Sequence, residues 1–143
     1  MKYVAALLIL FSASAGADGN NVLVLHLASQ HFQTDADLNE SNPGLGFRKG
    51  FGKDLFVLLG AYRNSREHTS AYIGAGKSLY CGHRLCFNGL LALITGYRAQ
   101  PVLPALVPEV VVDLGATELI LSYIPKYKDI NEAVVTVSLG FAF

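Results

Sequence analysis

Apolar positions recur with a period of two along most of the chain, and the C-terminus shows this best. There the residues of one parity are all apolar, and those between them are small or weakly polar; the apolar set is Val135, Val137, Leu139, Phe141 and Phe143. This alternation is typical of a β-strand with one apolar face, and it is not the 3.6-residue period of an amphipathic helix.

Eight such segments, separated by turn signals, are predicted as strands. They lie near 21–31, 43–51, 55–64, 70–80, 85–97, 106–114, 117–125 and 133–143. Tight turns at 51–54, 81–84 and 115–116 alternate with longer, more polar connections at 32–42, 65–69, 98–105 and 126–132. Short turns on one side and long loops on the other, with an even number of strands of about ten residues, are typical of a transmembrane barrel. The sequence therefore predicts an all-β fold, an eight-stranded antiparallel transmembrane β-barrel of the outer-membrane type.

Closure of the sheet has a physical reason, because in hydrocarbon every backbone N–H and C=O needs a partner and a closed sheet has no edge. Eight strands leave an interior wide enough for side chains or one slender ligand, which excludes a water-filled pore. The last strand ends on Phe143. A terminal Phe resembles the assembly signal of bacterial outer-membrane barrels.

The N-terminal segment is predicted to be a cleaved signal peptide over residues 1–17. A positive start at Lys2 precedes an apolar stretch and a small-residue ending at 15–17, which has the A-x-A form. A cut after Ala15 is an alternative. The barrel domain then covers 18–143, and the protein is expected to be exported to the bacterial outer membrane.

Composition narrows the class of protein further. The 143 residues carry 11 Lys and Arg against 11 Asp and Glu, so nucleic-acid binding is not expected. Charged residues make up 15%, below the roughly 25% of soluble domains. Yet the longest fully apolar run, Val4–Phe11, is much shorter than the about 20 residues of a membrane-spanning helix. No clustered His and Cys residues indicate a metal site, and no cofactor is predicted.

Three local patterns leave alternatives open. Cys81 and Cys86 flank a predicted turn and are expected either to form a disulfide or to stay reduced. The stretches 55–59 and 90–94 are apolar on both faces, so the lumen either houses a hydrocarbon chain or is packed dry. Prolines at 101, 104 and 108 interrupt pairing, since proline cannot donate to a ladder. They indicate either a gap in the wall that admits a lipid tail or simply the shape of the third outer loop.

The candidate chemistry gathers at one rim. If the first strand starts in the periplasm, the far ends of strands one and three open on the cell exterior, with His31 and Ser65 there. A Ser hydroxyl becomes a nucleophile when a neighbouring His takes its proton, so this pair fits acyl transfer. His26 is a second candidate base, although in mid-strand it fits a hydrogen-bonded interior group.

The chain resembles the outer-membrane lipid A palmitoyltransferases over roughly 21–143. The C-terminal third carries most of the resemblance, through a proline-rich stretch, a Tyr-Ile-Pro end and the terminal strand; these are 101–108, 121–125 and 140–143. Weaker similarities occur at 60–65, 73–76 and 39–46. The resemblance implies a monomeric barrel that moves a palmitoyl chain from a phospholipid donor to a lipid A acceptor.

The resemblance also implies roles for individual residues. Ser65 matches the family's serine, and His31, or else His26, matches its histidine. Asn64 stands where the family has an aspartate, and an amide cannot stabilise an imidazolium in the same way. Asn39 and Asn64 are predicted to orient the reactants or stabilise the oxyanion, and Asp35 or Asp37 could replace the missing acid.

For the substrate, the resemblance points to a glycine on the barrel floor, Gly76 or Gly74, that sets the acyl length. It also points to Pro101, Pro108 and Tyr123 along the route of the chain. The family's N-terminal amphipathic helix has no counterpart in the sequence. Two other functions compete with the transferase: a non-enzymatic barrel that acts through its surface loops in adhesion or exclusion, and a lipid A deacylase.

Overall fold

The computed structural model describes residues 20–32, 34–97, 100–127 and 131–143. The predicted signal peptide, 1–17, lies outside these residues. The strands are β1 (Asn21–Phe32), β2 (Ser41–Phe51), β3 (Leu55–Arg63), β4 (Thr69–Cys81), β5 (Leu85–Tyr97), β6 (Gln100–Asp113), β7 (Glu118–Ile124) and β8 (Ala133–Ala142). No helix among the described residues is long and apolar enough to cross a membrane.

The eight strands form one closed barrel in chain order. Each strand pairs antiparallel with the next, and β1 pairs with β8 over Val22–Phe32 and Ala133–Ala142, which closes the sheet. Short connections at 52–54, 82–84 and 114–117 share one end of the barrel, which we call the turn end. The opposite end, which carries 33–40, 64–68, 98–99 and 125–132, is called the loop end.

The outside of the barrel is a belt of exposed apolar side chains. Members of this belt come from five strands and are about half exposed or more; they include Leu45, Leu59, Ile73, Leu91, Leu93 and Leu106. A soluble protein would not leave so large a continuous apolar surface in water. Lipid in contact with this surface is the environment that the fold requires.

The loop predicted at 98–105 is wrong, because β6 begins at Gln100 and only residues 98–99 separate it from β5. Pro101, Pro104 and Pro108 therefore lie within a strand instead of shaping a long loop. Proline has an extended backbone that suits a strand, and what it lacks is a donor toward one neighbour. The β5–β6 ladder runs without a break from Leu85 to Thr95 on the β5 side.

The same prolines border an open seam between β6 and β7. The β6–β7 ladder joins Glu109–Asp113 to Glu118–Ser122, and its last pair toward the loop end is Glu109 with Ser122. Beyond that pair, β6 is paired with β5 but not with β7 in the part of the chain that the structure describes. The wall of the barrel is thus incompletely hydrogen-bonded in its loop-end half.

A bulge in β1 changes which side chains face the lumen. Across the β1–β8 ladder His26 pairs with Ser138 and Ala28 with Val137, so Leu27 is an extra residue with no partner opposite it. An extra residue shifts the in-and-out alternation by one position. As a result both His26 and His31 face the lumen, although they are of opposite parity in the sequence.

Cys81 and Cys86 are joined by a disulfide across the β4–β5 turn, where the two residues are also ladder partners. Of the two alternatives, the structure therefore shows the disulfide. The bond lies at the turn end, on the opposite side of the barrel from the predicted reactive residues.

Candidate functional site

The lumen contains a cavity that runs from mid-barrel to the loop end. Its walls are mainly apolar and come from β3, β5, β6, β7 and β8; they include Leu58, Leu90, Ala92, Ile94, Val107, Ile120, Ile124 and Val134. Its volume is about 130 Å³, which is space for about four water molecules at about 30 Å³ each. An eight-stranded barrel leaves room for one slender chain and is too narrow for an aqueous channel.

The floor of the cavity is a buried ion pair between β2 and β6. Arg48 Nη2 donates to both carboxylate oxygens of Glu109, at 2.8 and 2.9 Å. Asn88 and Ser122 donate to the same carboxylate, at 2.9 and 3.3 Å. The guanidinium carbon also lies 4.6 Å from the centroid of the Phe56 ring. The lumen is therefore apolar along its walls and closed by a charged floor.

His26 lies midway along the cavity and is fully hydrogen-bonded. Its Nδ1 is 2.9 Å from Ser138 Oγ and its Nε2 is 2.8 Å from the Tyr72 hydroxyl. Gly46 and Gly60 leave the space that this hydroxyl fills, because a Cβ at either position would collide with it. His26 thus has the environment of an interior structural group, and Ser65 is not among its hydrogen-bond partners.

His31 and Ser65 meet at the mouth of the cavity. Ser65 Oγ lies 2.7 Å from His31 Nε2, and both residues line the cavity. With the ring proton on Nδ1, the serine hydroxyl donates to Nε2, which is the arrangement of a nucleophile and its general base. His31 comes from the end of β1 and Ser65 from the 64–68 loop that follows β3, so the pairing of β1, β2 and β3 brings the two residues together.

Backbone contacts between two loops hold this pair in place. The Asn39 N–H donates to the Ser65 carbonyl oxygen at 3.0 Å, and the Ser29 N–H donates to the Glu40 carbonyl oxygen at 2.8 Å. The Asn39 side chain is occupied within its own loop, since its amide donates to the Ser41 carbonyl and accepts from the Ser41 N–H. Asn39 therefore fixes Ser65 through its backbone, and its predicted oxyanion role gains no support from its side chain.

Asn64 is a buried structural residue of the 64–68 loop. Its Nδ2 donates to Ser70 Oγ at 3.0 Å and to the Gly96 carbonyl at 3.1 Å. Its Oδ1 accepts from the N–H groups of Arg66 and His68, both at 3.0 Å. Both amide hydrogens are thus in use, which leaves none for an oxyanion; the geometry speaks against that predicted role.

The two predicted floor glycines face inward but do not line the cavity. A Cβ at Gly76 would collide with the Phe56 ring, and one at Gly74 would lie 2.6 Å from the Leu91 carbonyl oxygen. The space beside Gly76 is filled by Phe56, and the cavity floor is Arg48 with Glu109. Gly74 and Gly76 therefore do not border the space that an acyl chain would occupy, and the structure gives no support to their predicted role in setting the acyl length.

Pro101, Pro108 and Tyr123 face outward, toward lipid. Pro108 and Tyr123 are the residues next to the final Glu109–Ser122 ladder pair, on opposite sides of the open seam. Both side chains are exposed. These predicted substrate-binding residues border the seam and do not line the cavity itself.

Several lumen residues were missed by the sequence analysis. Glu109 is a lone charge within the apolar stretch Val102–Val112, and that isolation was a usable signal, whereas Arg48 is followed directly by a second cation, Lys49. Ser29 Oγ and Asn42 Oδ1 are buried beside the cavity mouth without a hydrogen-bond partner, and nothing in their local sequence marks them. Among the described residues, no group of three His, Cys, Asp or Glu side chains is placed to hold a metal ion.

Comparison with known proteins defines the class of fold. The chain is similar to the outer membrane protein Ail of Yersinia pestis, whose backbone structure was determined in a phospholipid bilayer nanodisc. The TM-score is 0.57 at 15% identity, and the similarity covers 88% of this chain and 100% of that chain. No protein-family model and no curated protein sequence matches. The chain is thus an eight-stranded antiparallel transmembrane β-barrel of the outer-membrane type, as predicted.

Proposed function

We propose that this barrel is an acyltransferase of the bacterial outer membrane that moves a palmitoyl-like chain from a phospholipid to lipid A. The observation that carries the proposal is the 2.7 Å contact of Ser65 Oγ with His31 Nε2 at the mouth of an apolar-walled cavity. A serine hydroxyl is activated by a base within hydrogen-bond reach, and the cavity gives an acyl chain a place beside it.

The proposed reaction has two halves. Ser65 Oγ bonds to the ester carbonyl carbon of the phospholipid while its proton passes to His31 Nε2. The bond from that carbon to the glycerol oxygen breaks, and this oxygen takes the proton from His31, so that lysophospholipid leaves. A lipid A hydroxyl then gives its proton to His31 and attacks the Ser65 ester, and Ser65 recovers its proton as the acylated lipid A departs.

The lateral seam supplies a route for the donor. The wall between β6 and β7 lacks ladder pairing beyond Glu109 and Ser122, and Pro108 cannot donate a hydrogen bond there. A lipid tail that enters from the surrounding bilayer at this level reaches a lumen walled by Ile94, Val107 and Ile124. The chain then lies in apolar surroundings, with its ester at the level of Ser65.

A non-enzymatic barrel that acts through its surface loops, in adhesion or exclusion, is the second candidate. The similarity to Ail fits this alternative better than the transferase, because this similarity supports an outer-membrane barrel and gives no indication of acyl transfer. Asn64, in place of the acid of the lipid A palmitoyltransferases, also favours it. The two candidates predict different lipid A in cells that make the protein.

The test is mass spectrometry of lipid A from cells that express the wild type, Ser65→Ala or His31→Ala. Ser41→Ala and His68→Ala are matched controls, since these residues are exposed at the loop end and do not line the cavity. We expect one added acyl chain in the wild type and both controls, and a loss of at least about 100-fold in the two site variants.

Barrel insertion is checked in every strain by the heat-dependent shift in gel mobility. If lipid A instead loses an acyl chain, and this loss requires both Ser65 and His31, the protein is a deacylase that uses water as acceptor and is not a transferase. Unchanged lipid A with all barrels inserted would refute the acyl-transfer proposal and leave the non-enzymatic barrel.

A further inference from the structure

The His31–Ser65 pair leaves one buried donor without an acceptor. When His31 Nε2 accepts the serine hydroxyl, the neutral imidazole carries its hydrogen on Nδ1. That Nδ1 atom is buried and has no hydrogen-bond partner. A buried polar group without a partner is uncommon in native proteins, so we expect another group to pair with it during function.

Glu132 supplies a complementary acceptor in the 125–132 connection, directly before the neighbouring strand β8. His31 pairs with Val134 across the β1–β8 ladder, and Glu132 precedes Val134 by two positions, in the connection that leads into β8. Both His31 and Glu132 line the cavity. Glu132 Oε2 is buried without a hydrogen-bond partner, although Lys126 Nζ forms an ion pair with it at 3.3 Å.

The other carboxylates near the mouth are placed less well. Glu40 lines a second, polar pocket that also includes His31, but Glu40 is exposed and its Oε1 already accepts from Gln30 Nε2 at 2.9 Å. Asp35 and Asp37, the predicted substitutes for the missing family acid, are exposed on the 33–40 loop. Neither aspartate lines the cavity.

We infer that Glu132 is the positioning residue for His31, with its carboxylate accepting the Nδ1 hydrogen. The inference rests on the proposed function of the His31–Ser65 pair and adds the third group to it. As Nε2 takes the Ser65 proton, the imidazole becomes positive, and the Glu132 charge stabilises it without taking up a proton itself. Glu132 thus replaces, from the opposite loop, the acid that Asn64 does not provide.

Four variants separate this role from a merely structural one. Glu132→Gln removes the charge but keeps the shape, and Glu132→Asp keeps the charge. Lys126→Met removes the ion pair while leaving Glu132 intact, and Glu40→Gln removes a carboxylate of the same size from the same end of the barrel. We expect Glu132→Gln to lower kcat about 100-fold or more with KM nearly unchanged, and the two control variants to keep kcat.

The readout that does not depend on activity is ¹⁵N and ¹H NMR of the imidazoles in histidine-labelled barrel. We expect a far-downfield His31 Nδ1–H resonance, typical of a hydrogen bond to a carboxylate, in the wild type, Glu132→Asp, Lys126→Met and Glu40→Gln. It is expected to be lost in Glu132→Gln. The His26 resonances serve as an internal reference for the fold, because His26 bonds Ser138 and Tyr72 instead.

The two proposals fail in different ways. If the His31 Nδ1–H resonance is unchanged in Glu132→Gln, or is lost in Glu40→Gln instead, the inference about Glu132 is overturned whatever the activity. If the resonance depends on Glu132 but the wild type leaves lipid A unchanged, the hydrogen bond from His31 to Glu132 is supported and the proposed acyl transfer is refuted.

Discussion

At the scale of single residues, Asn64 shows how one amide at a reactive site can serve the fold. The sequence marks the position because it directly precedes Ser65, where lipid A palmitoyltransferases carry an acid. In the structure the Asn64 side chain makes four hydrogen bonds, two as donor and two as acceptor. Only an amide can donate and accept in this way, so the local loop determines the residue type.

Asn64→Asp is therefore expected to damage the protein although it restores the family's acid. A carboxylate cannot donate to the Gly96 carbonyl and would face it oxygen to oxygen. We expect the free energy of unfolding to fall by about 1–3 kcal/mol and lipid A acylation to fall with it. Urea unfolding of the refolded barrel measures the first, and lipid A mass spectrometry the second; a variant of unchanged stability and higher activity would contradict this account.

At the same scale, the sequence identified the two members of the reactive pair but not the residues around them. Ser65 and His31 were found because a nucleophile and a base stood at strand ends that open on the same rim. Glu132 was missed, because its relation to His31 exists only through the β1–β8 ladder, whose residues are about a hundred positions apart in the chain. Local sequence carries no signal that the two residues line one cavity.

At the scale of elements, β6 is the strand that departs most from its prediction. The sequence predicts a loop or a gap at its prolines, whereas the structure places Pro101, Pro104 and Pro108 inside an extended strand. The strand is held by β5 along nearly its whole length and by β7 only at its turn-end third. Pro108 lies directly beside the last shared pair, where a ladder donor is absent.

Closing the seam with a disulfide tests its function. Pro108→Cys with Tyr123→Cys would join β6 to β7 just beyond the Glu109–Ser122 pair. If donor lipid enters there, we expect the oxidised variant to lose at least about 90% of its acylation, and a reductant to restore it. Lipid A mass spectrometry of outer-membrane preparations with and without reductant measures the effect.

The matched control is a second cross-link where the ladder is already closed. Val110→Cys with Leu121→Cys joins two ladder partners of the same two strands. Reductant also opens the Cys81–Cys86 bond in both variants, so the control accounts for that change. Equal activity of the two oxidised variants would show that lipid does not pass through the seam.

At the scale of the whole molecule, the lumen has two zones. Toward the loop end its walls are apolar, and toward the turn end it is braced by the Arg48–Glu109 ion pair. The two residues belong to β2 and β6, which are four strands apart around the barrel, so the pair spans its interior. Glu109 is almost fully buried, and its carboxylate has four hydrogen bonds from three side chains.

Breaking this brace on one side is expected to be costly. Arg48→Met leaves a buried carboxylate without its counter-charge, and Glu109→Gln leaves a buried guanidinium in the same state. Each single variant should lower the free energy of unfolding by about 3–5 kcal/mol, because an uncompensated charge remains inside. The double variant should cost clearly less than the sum of the two, since no charge is left.

Urea unfolding followed by circular dichroism suits this measurement, because the chain has no Trp for fluorescence. Lys49→Met is a control, since Lys49 is a neighbouring cation on the outward side of β2. If the loss of unfolding free energy in the double variant equals the sum of the two single losses, Arg48 and Glu109 do not stabilise each other across the barrel.

The sequence by itself determined the class of this protein. A period of two, turn spacing and low charge predict a closed eight-stranded membrane barrel, because strands in hydrocarbon pair all their backbone polar groups only when the sheet is closed. The period, the turn spacing and the charge content are properties of the local sequence, so they can be found without knowing the order or register of the strands.

Only the tertiary structure decided the site. The unpaired Leu27 turns His26 and His31 to the same side, the short β6–β7 ladder opens the seam, and barrel closure places Glu132 and His31 along the same cavity. Each of these depends on the register between strands, which is set by long-range pairing and side-chain packing. One residue of shift reverses which face a side chain occupies, and alternation along a single strand cannot reveal it.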